Sequence, residues 1–100
     1  MTTIYETLSL LKTWASEKGI LGKDNLKNQL IKLSEEHGEL AGEILKDNKK
    51  KAIMELADNL VVLNNLAIIL DTSFEECLNL AYNKIKDRKG ITKGGTFIKE

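Results

Sequence analysis

The stretch IMELADNLVVLNNLAIIL, residues 53–70, holds thirteen apolar side chains, three asparagines and only two charged residues. A helix of this composition has no polar face, so we expect it to be buried nearly all round. We do not expect it to span a membrane, because Glu55 and Asp58 would then lie inside the bilayer. The stretch therefore predicts the central helix of a soluble helical protein.

Three other segments show the spacing of apolar side chains that is typical of helices. Asp24 or Asn25 can cap the second helix, and a capping box can begin the fourth helix at Thr72 or Ser73. Residues 90–100 contain three glycines and no helical pattern, so we expect a loop or a short extended tail there. The predicted helices cover about residues 4–18, 26–47, 50–70 and 74–89.

The chain of 100 residues fits one small domain over residues 1–100, since there is no room for two independent cores. Four helices with short connections predict an all-α, antiparallel four-helix bundle. One bundle of this size cannot easily cover a helix that is apolar on every side. We therefore expect a homodimer or homotetramer that associates through apolar helix faces.

Charge and composition exclude several classes of protein. The 15 basic and 15 acidic residues cancel, so we expect neither a nucleic acid polymer nor a membrane as a partner. One cysteine, Cys77, and one histidine, His37, allow neither an internal disulfide nor a zinc site. We expect Cys77 in the core and His37 on the apolar stripe of the second helix. Residues 1–6 carry no export signal, which favours a cytoplasmic location.

Two acidic pairs stand out, Glu36 with Glu39 on the second helix and Glu55 with Asp58 on the third. The spacing of three residues places both carboxylates of a pair on one helix face, whereas Glu35 points away from the core. Ionised groups in so apolar a third helix need a compensating partner. Four converging carboxylates offer only oxygen ligands, which suits Mg²⁺ or Mn²⁺ better than zinc or copper. A di-iron site is not expected, because its two Glu-x-x-His motifs are missing.

Charge is unevenly distributed along the chain. Residues 35–47 hold five acids against one lysine, and residues 84–93 hold five basic residues against one aspartate. Basic side chains beside an acidic metal site would neutralise a Mg²⁺-bound polyphosphate, although a favourable interaction with the helix dipole also explains them. The candidate substrate-binding residues are Asn83, Lys84 and Arg88, with Lys32 beside the acidic stripe of the second helix.

The acidic residues resemble a known pattern. Glu35-Glu36-His37-Gly38-Glu39 matches E-E-x-x-E, and Glu55-Leu56-Ala57-Asp58 follows after fifteen residues and matches E-x-x-D. Together these motifs resemble the signature of the all-α nucleoside triphosphate pyrophosphohydrolases, and the chain is similar to the small MazG-like proteins.

The resemblance implies a helical bundle that forms dimers or tetramers, binds Mg²⁺, and hydrolyses a nucleoside triphosphate to the monophosphate and pyrophosphate. Glu36, Glu39, Glu55 and Asp58 match the metal-binding positions of the family. Asn83 and the basic residues after it match the region that contacts substrate. Trp14 could stack on a nucleobase, although a lone tryptophan on a first helix also fits a core position.

A mechanism follows from these residues. The metal ions would polarise the α-phosphate and lower the pKa of a bound water. Glu36 or Glu39 would orient or deprotonate that water, and Arg88 or Lys84 would stabilise the departing pyrophosphate.

Two other interpretations use the same residues. A non-catalytic helical interaction module would bind nucleotide or metal without turnover, since binding and hydrolysis need the same ligands. A purely structural bundle would carry the acids as ordinary solvated helix charges, and it predicts no metal-dependent change in melting temperature.

Overall fold

The computed structural model describes residues 2–100 and contains four α-helices followed by a β-hairpin. The all-α class with four helices is confirmed, and the bounds of the first three helices agree with the predicted ones to within two residues. A 3₁₀ turn, Lys23–Asn25, leads into the second helix. The elements are α1 Ile4–Glu17, α2 Leu26–Leu45, α3 Lys49–Ile69, α4 Phe74–Ile85, β1 Gly90–Lys93 and β2 Thr96–Lys99.

Side-chain hydrogen bonds cap the start of α4 and close the loop that precedes α2. Ser73 caps α4, because its hydroxyl accepts a hydrogen bond from the backbone amide of Glu76 at 3.1 Å, as the capping-box spacing predicts. Asn25 does not cap α2, contrary to the expectation from sequence. Its side-chain amide donates instead to the carbonyl oxygens of Gly19 and Ile20, at 2.9 and 3.0 Å, and so closes the loop that precedes α2.

Lys23 holds the C-terminal end of α3. Its Nζ donates to the carbonyl oxygen of Ile69 at 2.6 Å and forms an ion pair with Asp71 at 2.6 Å. Asp71 has a φ of 62°, the left-handed conformation in which many helices end. The loop between α1 and α2 is therefore tied to the turn between α3 and α4.

The antiparallel pair of α2 and α3 forms the centre of the fold, and α1 and α4 contact α3 over shorter stretches. The expectation that α3 is buried nearly all round is wrong for the single chain, because Ile53, Met54 and Leu70 are more than half exposed. Only α2 packs along much of its length, and the shorter contacts of α1 and α4 leave large parts of the other faces of α3 exposed. The buried apolar residues in residues 2–100 are Ala15, Val62, Ala67 and Ile69.

Helix α4 leaves its apolar side uncovered in the single chain. Leu78 and Ile85 lie on this side and are about half exposed, at 53% and 49%. The radius of gyration is 15.9 Å, whereas a compact domain of this length has about 13 Å. The chain is therefore open and has large apolar surfaces without a partner.

Helix α3 also has the length and apolar composition of a membrane-spanning helix. Core helices of soluble proteins share both features, so length and composition do not distinguish the two cases. Its position in a protein core, inferred from Glu55 and Asp58, stays a prediction.

Residues 90–99 form a two-stranded antiparallel sheet rather than the loop or extended tail expected from sequence. Gly94 and Gly95 connect the strands with φ of 58° and 78°, as a two-residue turn with positive φ at both central positions requires. Gly90 is needed as well, because a Cβ there would collide with the ring of Phe97 and the carbonyl oxygen of Ile98.

Candidate active site

Three of the four acids predicted as metal ligands come together between α2 and α3. One carboxylate oxygen from each of Glu36, Glu39 and Glu55 lies within 4.8 Å of the others. Glu36 is 6% exposed, Glu55 is half-buried and Glu39 faces solvent. The cluster therefore has a buried inner side and an open outer side.

Asn59 aligns the two helices at this level. Its side-chain amide donates to the carbonyl oxygen of Glu55, one turn earlier in α3, at 2.8 Å. The same amide donates to the carbonyl oxygen of Glu36 in α2, at 3.0 Å. Asn59 is itself buried. One side chain thus connects the main chains of both acid-bearing turns.

Lys32 is the one basic residue in residues 2–100 that forms an ion pair with a glutamate of the cluster. Its Nζ lies 3.2 Å from Oε1 of Glu36 and 3.6 Å from a carboxylate oxygen of Glu35. A hydrogen bond to Glu36 and the charges of Glu36 and Glu35 raise the pKa of Lys32. Lys32 therefore stays protonated and neutralises part of the acidic charge, while Glu35 stays exposed at the edge, as expected.

The surroundings of Glu55 disfavour its ionised form. Partial burial is the main cause that raises its pKa, followed by a side-chain hydrogen bond to Glu39 and the charge of Glu39. The charges of Asp58 and Glu36 act in the same direction. Without a cation, the three clustered carboxylates therefore repel one another.

Two oxygens of the cluster lack a hydrogen-bond partner among the described residues. They are Oε2 of Glu36 and Oε2 of Glu55, and both atoms are buried. A buried carboxylate oxygen without a partner is costly, and a divalent cation removes that cost by direct coordination. Oxygen-only donors from three glutamates fit Mg²⁺ or Mn²⁺. The residues present therefore fit the expected metal.

Asp58 lies outside the cluster of three. It lines a cavity of about 710 Å³ that also contacts Glu36 and Lys32, and its charge raises the pKa of Glu55. The structure thus places Asp58 beside the cluster but does not bring its carboxylate into the same group of ligand atoms. Its role as a metal ligand stays a prediction.

The cavity next to the acids has one apolar wall and one polar wall. Trp14 lies in the apolar wall, together with Leu11, Ile20, Val61 and Val62. It is 45% exposed, so it is available for stacking rather than sealed in the core. The polar wall consists of Asn28, Gln29 and Asn65 with the charged residues Lys32, Glu36 and Asp58.

Asn65 and Gln29 form a polar pair inside this cavity that sequence reasoning missed. The Asn65 side-chain amide donates to Oε1 of Gln29 at 3.1 Å, and Asn65 is 3% exposed. The Asn65 Oδ1 atom is buried and has no partner among the described residues. Asparagines in an apolar segment were the available signal for Asn65 and for Asn59, since buried polar groups need partners.

The candidate substrate-binding residues on and after α4 do not line this cavity, whereas Lys32 does. Asn83 and Lys84 lie on the exposed part of α4, and Arg88 follows that helix. The single chain therefore does not bring them together with Trp14 and Lys32. The expectation that Cys77 lies in the core is wrong, because Cys77 is exposed on a side of α4 that no other element in residues 2–100 covers. His37 is exposed as well.

Fold and site together define a class: an all-α protein with clustered glutamates on two antiparallel helices, next to a cavity with an aromatic wall. The chain belongs to the MazG nucleotide pyrophosphohydrolase domain family, whose model matches residues 25–91. The match includes both acidic pairs and confirms the resemblance seen in the sequence. Membership indicates nucleotide pyrophosphohydrolase activity in general, and the family generally depends on a divalent metal. Neither the curated proteins nor the solved structures give a significant match.

Proposed function

We propose that this chain is a Mg²⁺-dependent nucleoside triphosphate pyrophosphohydrolase, which converts an NTP or dNTP and water to the monophosphate and pyrophosphate. The observation that carries the proposal is the group of Glu36, Glu39 and Glu55, with ligand atoms within 4.8 Å of one another. Two of its buried oxygens lack hydrogen-bond partners within residues 2–100, which supports occupation by a cation.

Glu36, Glu39 and Glu55 would hold the metal, and Asp58 would complete the set from the cavity side. Mn²⁺ would fit the same oxygen ligands. A bound Mg²⁺ would neutralise phosphate oxygens and supply an activated water. The proposal thus uses all four acids for metal binding, in agreement with the family motif.

The chain's own residues would bind and orient the substrate. Trp14 would stack on the base in the cavity, and Lys32, which is already paired with Glu36, would contact the phosphates. Glu36 or Glu39 would accept a proton from the attacking water. Asn83, Lys84 and Arg88 would bind the polyphosphate and stabilise the departing pyrophosphate.

We further propose that the protein works in the cytoplasm as a homodimer or homotetramer. The uncovered apolar sides of α3 and α4 support self-association, since exposed apolar surface of this extent marks an interaction site. The balanced charge of the chain supports partners other than nucleic acid polymers and membranes.

The identity of the products tests the proposed reaction. Purified protein with Mg²⁺ and a panel of ribo- and deoxyribonucleoside triphosphates should release pyrophosphate and a monophosphate, resolved by ion-exchange chromatography. Release of inorganic phosphate and a diphosphate would contradict the proposal, because attack would then occur at the γ-phosphate. Binding of nucleotide without any product would support the non-catalytic interaction module instead.

Metal binding should stabilise the fold in a pH-dependent way. The pKa of Glu55 in the folded chain lies above its ordinary value. Without metal, the free energy of unfolding therefore falls as the pH rises through the range between the ordinary pKa and the pKa in the folded chain. Mg²⁺ competes with protons for these carboxylates. We therefore expect Mg²⁺ to raise the melting temperature by several degrees at pH 8 and by less at pH 5.

Differential scanning fluorimetry with Mg²⁺, and with EDTA as the metal-free reference, measures this shift. Mg²⁺ at about 100 times its Kd should add about 2.7 kcal/mol to the free energy of unfolding. Asp58→Asn should reduce the shift if Asp58 is a ligand. An equal shift at both pH values, or no shift at all, would contradict metal binding at the cluster.

A further inference from the structure

A second cavity, of about 610 Å³, lies between α1, the end of α3 and the start of α4. We call it the α1–α4 cavity. It shares no lining residue with the cavity beside the acidic cluster, and the proposed reaction does not use it. Cavities of this size hold small organic molecules in other proteins. The groups that line it therefore indicate what kind of molecule could bind there.

The most buried polar residue that lines the α1–α4 cavity is Asn64. It is 4% exposed, and its Nδ2 atom is buried without a hydrogen-bond partner among the described residues. A buried N–H group without a partner costs free energy, and that cost is removed when an acceptor binds. A cation cannot serve, because an N–H group only donates. Asn64 therefore calls for a ligand that carries a hydrogen-bond acceptor.

The start of α4 adds further donors to the same cavity. Ser73 is the N-cap of this helix, so the backbone amides of Phe74 and Glu75 have no acceptor within the helix. All three residues line the cavity. The positive end of the helix dipole lies at the same place and favours negative charge. The acceptor that fits this wall is therefore an anion.

The charged side chains around the cavity leave one cation without a partner. Lys12 lines the cavity and forms no ion pair within residues 2–100. Two acids also line it, but both have partners. Asp71 lies 2.6 Å from Nζ of Lys23, and Oε1 of Glu75 accepts a hydrogen bond from the Tyr5 hydroxyl at 3.4 Å. The groups that still lack partners are therefore N–H donors and one ammonium group.

The rest of the cavity wall is apolar and contains two aromatic rings. Tyr5 and Phe74 supply the rings, and Leu8 and Ile68 complete this wall. A ligand with an apolar or aromatic body would remove this surface from water, which is favourable. An inorganic ion alone would leave the surface uncovered. The wall therefore fits an anionic group that is attached to an apolar body.

We propose that the α1–α4 cavity binds a small organic anion, in which a phosphate or carboxylate group is joined to an apolar or aromatic body. The oxyanion accepts hydrogen bonds from Asn64 and from the amides at the start of α4, and it pairs with Lys12. The apolar body lies against Tyr5 and Phe74. A bound ligand then connects α1 with α4, which contact each other little in the single chain. The site does not depend on the proposed reaction.

Nuclear magnetic resonance of ¹⁵N-labelled, metal-free protein in Tris buffer locates the site directly. Phenyl phosphate and benzoate are the two probes, and the tighter of them identifies phosphate or carboxylate as the preferred group. Inorganic phosphate and benzyl alcohol each lack one half of the ligand. We expect a probe to shift the side-chain amide of Asn64 and the backbone amides of Phe74 and Glu75. The two half-ligands should bind at least about tenfold more weakly.

Three results of this titration would overturn the proposal. The first is that neither anion shifts these amides. The second is that shifts occur only at the other cavity, around Trp14. The third is that benzyl alcohol binds as tightly as the two anions, because the oxyanion would then contribute nothing.

The substitution Asn64→Leu distinguishes a binding role from a structural one. It replaces the unpartnered donor by an apolar group of similar size. The free protein should therefore melt at a temperature a few degrees higher, while phenyl phosphate or benzoate should bind about tenfold or more weakly. An asparagine that only stabilised the fold would give a lower melting temperature. A lower melting temperature or an unchanged affinity would contradict the role of Asn64.

A second variant tests the site even where Asn64→Leu fails to fold. Lys12→Gln changes an exposed side chain of α1 and should weaken binding of the anion by about threefold, as expected for one exposed charge. Lys18→Gln is its matched control, because Lys18 is an exposed lysine that follows the same helix and does not line the cavity. Equal effects of the two substitutions would overturn the position of the anion beside Lys12.

Discussion

Replacing Glu55 by glutamine is expected to reduce pyrophosphate release by about 10³-fold or more, because the proposed metal site loses one ligand while the size of the side chain is kept. Glu55 is the half-buried member of the cluster, and its Oε2 has no partner among the described residues. Glu39→Gln should have a comparable effect, since Glu39 supplies an oxygen of the same cluster from the solvent side. Initial rates at saturating nucleotide and Mg²⁺ measure both losses.

A control substitution at another acidic residue and a measurement of stability distinguish loss of catalytic activity from loss of folding. Glu17→Gln removes an exposed acid at the end of α1, far along the chain from the cluster, and should leave the rate unchanged. Without metal, Glu55→Gln should melt at a temperature equal to or above that of wild type at pH 8, because a repelled carboxylate has been removed. A stable Glu55→Gln protein with full activity would show that the cluster is not the catalytic metal site.

Replacing Leu78 by aspartate is expected to dissociate the proposed homo-oligomer. Leu78 lies on α4 beside an apolar groove of about 400 Å³ between α3 and α4, and it is 53% exposed in the single chain. Complete burial of a leucine side chain contributes about 1.5–3 kcal/mol, and about half of that remains for the interface because Leu78 is 53% exposed in the single chain. A symmetric dimer loses this contribution twice, so the dimer Kd should rise by about 10- to 200-fold, and the new charge adds to the effect.

Sedimentation equilibrium measures this loss, and Thr13→Asp is its control because it adds the same charge at an exposed polar position of α1. The wild type should also unfold at a higher temperature as its concentration rises. Each tenfold increase in concentration adds about 1.4 kcal/mol to the apparent free energy of unfolding of a dimer. A well-folded wild-type monomer at micromolar concentration would contradict association through α4.

Local patterns in the sequence were sufficient for the helices and for most of the acidic cluster. Helix ends depend on nearby residues such as Ser73, and the spacing of Glu36, Glu39 and Glu55 depends only on helical geometry and on one antiparallel pair. The hairpin had a usable signal as well, since Gly94-Gly95 between two apolar runs is typical of a tight two-residue turn.

Contacts between distant parts of the chain could not be predicted in the same way. His37 and Cys77 lie among apolar residues in the helical pattern of the sequence. Whether that side of a helix is covered depends on the positions of the other helices, which the periodicity does not predict. The hydrogen bonds of Asn59 to both main chains and of Asn65 to Gln29 need the register of α2 against α3. The prediction that α3 is buried nearly all round was wrong for the single chain. The composition of a helix shows how much apolar surface it has, and it does not show which chain covers that surface.

The two hydrogen bonds of Asn59 hold the clustered carboxylates close together in spite of their mutual repulsion. The amide fastens the main chains of α2 and α3 at the turns that carry Glu36 and Glu55, so mutual repulsion of the carboxylates cannot relax by moving the helices apart. The favourable free energy of packing elsewhere along α2 and α3 offsets this repulsion when the chain folds. A cation that binds there would meet two main chains that Asn59 already holds together, so less of its binding energy would be lost to reorganisation of the helices. Asn59, which touches no ligand atom, would in this way determine how tightly the metal is held.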